Sequence, residues 1–189
     1  SEMCIRDRFL SASRPFYHSA DMLELKAIAP EIYIPFIVQH FESRERHIEA
    51  ANVEKVYHLF KGHTYYIQKT FNEAFADTPE EGECTLETIK TAIDNMIAAN
   101  DTIFREILSN IPEKQKELLY AIAKDGEAER ITSAEFIKRH SLASASSVQS
   151  AVKKLLEKDI ITEINKKFSL TDKLFAMWIS NLYGKSYVL

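Results

Sequence analysis

A chain of 189 residues that is 46% apolar and 28% charged can bury one or two cores, and its composition excludes a disordered or collagen-like polymer. No apolar stretch approaches a membrane span, and Arg6, Asp7 and Arg8 interrupt the only place for a secretory leader. The formal net charge of −4 hides a gradient, with 11 Lys+Arg against 18 Asp+Glu over residues 1–111 and 13 against 10 over residues 112–189. The second half is therefore the better partner for a polyanion.

Residues 1–8 fit nothing that follows and read as translated adapter sequence, so the chain is expected to be the C-terminal part of a longer protein. Residues 22–28 alternate as a strand, with Leu23, Leu25 and Ala27 on one face, and a lone strand needs partners from outside this chain. From Pro30 the period turns helical. Tyr33, Phe36, Ile37, His40 and Phe41 share a stripe, which places His40 in the core, and Pro35 costs that helix one donor. A second helix is expected over residues 48–60 with Val53, Val56, Tyr57 and Phe60 inward, ended by Gly62. A third carries Tyr66, Ile67, Thr70, Phe71 and Phe75 at helical spacing, before a loop over residues 76–83. Thr85 caps a long helix running to about residue 110, with Leu86, Ile89, Ile93, Met96, Asn100, Phe104 and Ile107 on one face.

Beyond Pro112 three short helices are expected. The first buries Leu118, Leu119 and Ile122. The second opens on a Thr132-x-x-Glu135 capping box and buries Phe136 and Ile137. The third follows Ser144 and buries Val148, Ala151, Val152 and Leu155. Strand-like runs over residues 160–164 and 168–170 flank Asn165-Lys166-Lys167, and a last helix over residues 171–183 buries Leu174, Phe175, Trp178 and Leu182. Three helices and a hairpin in this order make a winged helix-turn-helix. The expected fold is mainly α: residues 1–28 as a remnant of another domain, a helical bundle over residues 29–110, and a winged helix with its C-terminal helix over residues 111–189.

No residue constellation points to chemistry. The four glycines are scattered and none opens a G-x-x-x-x-G-K-[ST] loop. His58 and His63 straddle Gly62, no H-E-x-x-H occurs, and no metal ligands or catalytic residues are assigned. Cys4 and Cys84 form neither a disulfide framework nor a zinc spacing, so a reducing, cytoplasmic setting is expected. Ser146, Gln149, Ser150 and Lys153 lie on the outward face of the third winged-module helix, flanked by Ser147 and Lys154, and Lys166 and Lys167 stand at the wing tip. Small polar residues with lysine suit phosphates and base edges of duplex DNA, although Glu157 shares that face.

The run Phe60-Lys61-Gly62-His63-Thr64-Tyr65-Tyr66-Ile67-Gln68 resembles the lid of P-loop ATPases of the AAA superfamily, in the archaeal-type group, where a Gly-His-Pro turn begins a lid helix. Residues 9–28, with Arg14-Pro15-Phe16-Tyr17, look like the end of that family's ATPase core. Asp172-Lys173-Leu174-Phe175-Ala176-Met177-Trp178 looks like the D-P-x-F-x-x-W signature after its winged helix. Thr64 and Lys173 replace the two prolines, which relaxes the turn and alters a helix start.

The resemblance implies that Gly62, His63, Thr64 and Tyr66 face a nucleotide. It also implies that ATP and Mg belong to a core upstream, and that this chain alone binds no cofactor and hydrolyses nothing. Expected partners are that core, duplex DNA and further copies of the chain, with no membrane. The alternatives are a free-standing winged-helix regulator that binds DNA and a helical protein-interaction module.

Overall fold

The structure, a computed structural model, describes residues 26–183, 187 and 189. The strand expected over residues 22–28 and the Arg14-Pro15-Phe16-Tyr17 run lie outside the described residues, except that 26–28 have no regular secondary structure. Compactness divides the chain into two units, Ala27–Ile111 with Lys173–Leu189, and Pro112–Asp172.

The first unit is a helical bundle. Its helix α1 (Pro30–Glu42) begins on a proline, which lacks a donor that the first turn would leave unbonded anyway. Tyr33, Ile37 and Phe41 form one i, i+4 row that is buried, whereas the neighbouring row through Phe36 and His40 is exposed. The expected stripe was one row too wide, and His40 is a surface residue resting on the Phe75 ring at 5.5 Å. Helices α2 (Ala50–Leu59) and α3 (Thr64–Asp77) follow, the second burying Tyr66, Ile67, Thr70, Phe71 and Ala74.

Ile48 does not start a helix, and Glu83 is not in a loop. His47–Ile48 (β1) and Glu83–Cys84 (β2) pair in parallel, with Ile48 opposite Cys84 and both buried. Arg46 holds this corner, its Nε donating to the Thr78 carbonyl at 2.7 Å while its guanidinium lies 4.3 Å from the Phe75 centroid.

Thr85 caps α4 (Leu86–Ala99), its Oγ1 accepting from the Thr88 N–H at 3.2 Å. The long helix expected from there is interrupted. The Asn100 side chain donates to the Met96 carbonyl at 2.8 Å, its backbone leaves the helical region, and α5 (Asp101–Ser109) starts afresh. A short amide side chain that competes for backbone carbonyls is a standard way to break a helix.

In the second unit, α6 (Glu113–Asp125) buries Leu118, Leu119 and Ile122. A two-residue strand, Ala128–Glu129 (β3), precedes α7 (Ala134–Arg139). The cap of α7 is Ser133, whose Oγ accepts from the Phe136 N–H at 3.2 Å, one residue beyond the capping box expected at Thr132. After α8 (Ala145–Glu157), strands β4 (Ile161–Ile164) and β5 (Lys167–Leu170) form a hairpin, and the sheet order is β3-β5-β4, all antiparallel. Asn165 and Lys166 both have positive φ, 52° and 64°, which makes the two-residue wing turn a type I′ turn matched to strand twist.

The last helix, α9 (Lys173–Leu182), buries Leu174, Phe175, Met177, Trp178 and Ile179, whereas Leu182 is exposed. Its aromatic residues pack in the helical unit. Phe175 and Trp178 lie 5.2 and 5.8 Å from Phe104 of α5, and the Trp178 indole donates to Asp101 Oδ1 at 2.8 Å. Tyr187 then fastens the chain to α4, its hydroxyl 2.8 Å from Asp94 Oδ1.

Candidate functional sites

The Gly62-His63-Thr64 turn is built on the end of α2. Lys61 N–H donates to the His58 carbonyl and Gly62 N–H to the Tyr57 carbonyl, the paired bonds of a Schellman motif, with Lys61 at φ 52° and Gly62 at φ 76°. Glycine is needed here for space as well as conformation. A Cβ on Gly62 would lie 2.8 Å from Tyr57 Oη and 2.9 Å from Ala27 Cβ. Tyr57 is fixed in turn, its hydroxyl donating to the Ile28 carbonyl at 2.8 Å.

His63 occupies the N-cap position of α3 and Thr64 the first helical position, and no side chain caps the helix. Thr64 therefore stands where proline is well tolerated, and the helix begins there without it. Tyr66 is buried, its ring 4.7 Å from His63 and 5.2 Å from Phe60. It supports the His63 imidazole from beneath and is not a surface group.

The winged module presents the other candidate face. Ser144 caps α8, its Oγ accepting from the Ser147 N–H at 3.2 Å and lying 3.1 Å from Ser146 Oγ. Ser147 is half-buried, whereas Ser146, Gln149, Ser150, Lys153 and Lys154 are exposed. The four lysines are not equivalent. Lys154 is bonded to Glu157 at 2.9 Å, and that bond holds the Glu157 carboxyl below its ordinary pKa. Lys167 sits across the sheet from Glu129, 3.2 Å from its carboxylate and 3.7 Å from that of Glu127, and the Glu129 bond raises its pKa. Lys153 and Lys166 form no ion pair with described residues.

One cation escaped the sequence reading. Arg130 occupies a left-handed turn, φ 49°, between β3 and α7, and no motif marks it. It stands with Lys153 and Lys166 around a groove between α8 and the wing.

Among the described residues no cluster of three or more His, Cys, Asp or Glu could hold a metal ion, and no helix is long and apolar enough to cross a membrane.

With this geometry in hand, the comparisons agree on the second half of the chain. A family model described as "probable winged helix domain" matches residues 102–181. Among solved structures the chain is similar to a Walker-type ATPase of Pyrococcus abyssi, with a TM-score of 0.64 and 13% identity over 89% of this chain and 47% of that one. Identity this low speaks for the fold alone. The chain spans about half the length of that protein. No protein of curated function matches it in sequence. The chain thus contains a winged-helix domain joined to a helical bundle, an arrangement also found in part of an ATPase.

Proposed function

We propose that the chain is the lid and winged-helix region of a P-loop ATPase of the AAA superfamily, with the Gly62-His63-Thr64 turn facing the nucleotide. The observation that carries this reading is the coverage of the fold likeness, which takes in both the lid and the winged module within a protein about twice as long. The uncapped start of α3 suits an anionic group, because the first N–H groups of a helix and its dipole both favour negative charge.

ATP and Mg would be held elsewhere in the protein. No G-x-x-x-x-G-K-[ST] loop occurs in these 189 residues, and no hydrolytic step is assigned to them. The role of this chain is to close over the nucleotide and pass that state to the winged module, with self-assembly as a further expectation.

The test uses the protein expressed with its upstream segment. ATP should slow amide exchange at residues 62–66, and His63→Ala should raise KM for ATP several-fold. An upstream reading frame without a phosphate-binding loop, or exchange indifferent to ATP, would sink the reading.

A second reading, duplex DNA binding by the winged module, rests on the exposed Ser146, Gln149, Ser150 and Lys153 and on Lys166 at the wing tip. Lys153→Ala and Lys166→Ala should each flatten the salt dependence of DNA affinity by about 0.9 in the log–log slope. Lys154→Ala and Lys167→Ala should do less, since those charges are already neutralised by carboxylates. Anisotropy titrations between low and physiological salt decide this, and a flat titration at low salt excludes it.

A further inference from the structure

The groove between α8 and the wing has a composition that phosphate contacts leave unexplained. Its floor is apolar, made by Ile131, Val152, Leu156 and Phe168. Ile131 is buried and the other three are half-buried. The open groove has a volume of about 950 Å³, room for a row of several side chains.

The charges on its lips are sorted by pairing. Two carboxylates, Glu129 and Glu157, line the groove, and each is paired with a lysine that does not line it, Lys167 (shared with Glu127) and Lys154 respectively. Arg130, Lys153 and Lys166 line it as well, and none of the three forms an ion pair with described residues. The groove therefore offers three cations outside any short ion pair around an apolar floor, with Lys153 also acting at longer range on Glu157.

We propose that this groove docks an acidic amphipathic peptide segment of a partner protein. Carboxylates on such a segment meet Arg130, Lys153 and Lys166, while its apolar residues cover Val152, Leu156 and Phe168. This is the helix-in-groove mode of recognition, in which spaced apolar anchors supply affinity and flanking charges supply register.

Duplex DNA fits the groove less well, because it would leave the apolar floor uncovered. Of the residues suited to base edges, Gln149 lines the groove, whereas Ser146 and Ser150 lie outside it. The inference stands apart from the ATPase reading, since it concerns only residues 129–168.

The test is fluorescence anisotropy on the full chain with three probes. One is a labelled peptide of about 15 residues with Glu and Leu at helical amphipathic spacing. The second has the same composition in scrambled order, and the third is a labelled DNA duplex. The patterned peptide should bind about tenfold more tightly than the scrambled one, and Lys153→Glu and Lys166→Glu should each weaken it about tenfold. Lys166 lies exposed at the wing tip, so its variant tests the groove without disturbing a packed residue. Equal binding of both peptides, binding of the duplex alone, or a chain dimer dissolved by Lys166→Glu would each overturn the proposal, the last assigning the groove to a second copy.

Discussion

Replacing Trp178 by alanine should destabilise the protein by about 3–5 kcal/mol, the usual cost of emptying a large aromatic site, and lower its melting temperature by roughly 6–20 °C. Trp178 is almost fully buried against Phe104 and Phe175, so the lost ring leaves a cavity between α5 and α9 that rigid helices cannot close. Trp178→Phe keeps a smaller ring in the site while removing the bond to Asp101, part of the indole volume and the Arg105 contact over it. That bond and the stronger one from Arg105, at 2.7 Å, hold the Asp101 carboxyl below its ordinary value of 3.8. A depressed carboxyl stabilises the fold above its unfolded value, and this contribution fades as pH falls through the folded one. Acid unfolding of Trp178→Phe should therefore show a shallower slope below about pH 4. Urea titrations at neutral and acid pH read both effects. An unchanged midpoint for Trp178→Ala would mean that α9 does not pack where it is placed.

The same aromatic cluster shows what the sequence discloses and what it withholds. The period of Leu174, Phe175 and Trp178 marks a helix and its buried face correctly, but periodicity does not name the surface that a face meets. That surface includes Phe104, some seventy residues earlier.

Helix ends divide in the same manner. Caps made by side chains, at Thr85 and Ser144, were legible because the hydroxyl itself signals the function. The Schellman ends of α7 and α8 place Ser141 and Asp159 at positive φ, where the usual glycine signal is missing. Two-residue strands such as β1 and β3 are too short for any alternation to appear.

At the winged module the lysines were found, but their pairing was not. Only the sheet register brings Glu129 beside Lys167, and only the fold brings Arg130, whose neighbours in sequence carry no motif, next to Lys153 and Lys166.

Gly62→Ala should cost about 3 kcal/mol, and its origin can be divided. Part is conformational, since alanine at φ 76° pays for the left-handed region, about 1–2 kcal/mol. The remainder is steric, because the new methyl group meets Tyr57 Oη at 2.8 Å and Cζ at 3.0 Å. In a Tyr57→Ala background the two contacts with that ring disappear, and the 2.9 Å contact with Ala27 Cβ remains. A double-mutant cycle should accordingly return a coupling of about 1–3 kcal/mol, read from urea midpoints of the four proteins. Strict additivity would mean that the turn does not press against Tyr57.

The result bears on the Gly62-His63-Thr64 turn directly. Tyr57 also bonds the Ile28 carbonyl, so one ring fixes both the segment entering the bundle and the turn that presents His63. A turn held this tightly gives the start of α3 a defined direction without a proline, because the close approach at Gly62 supplies the rigidity that Thr64 does not.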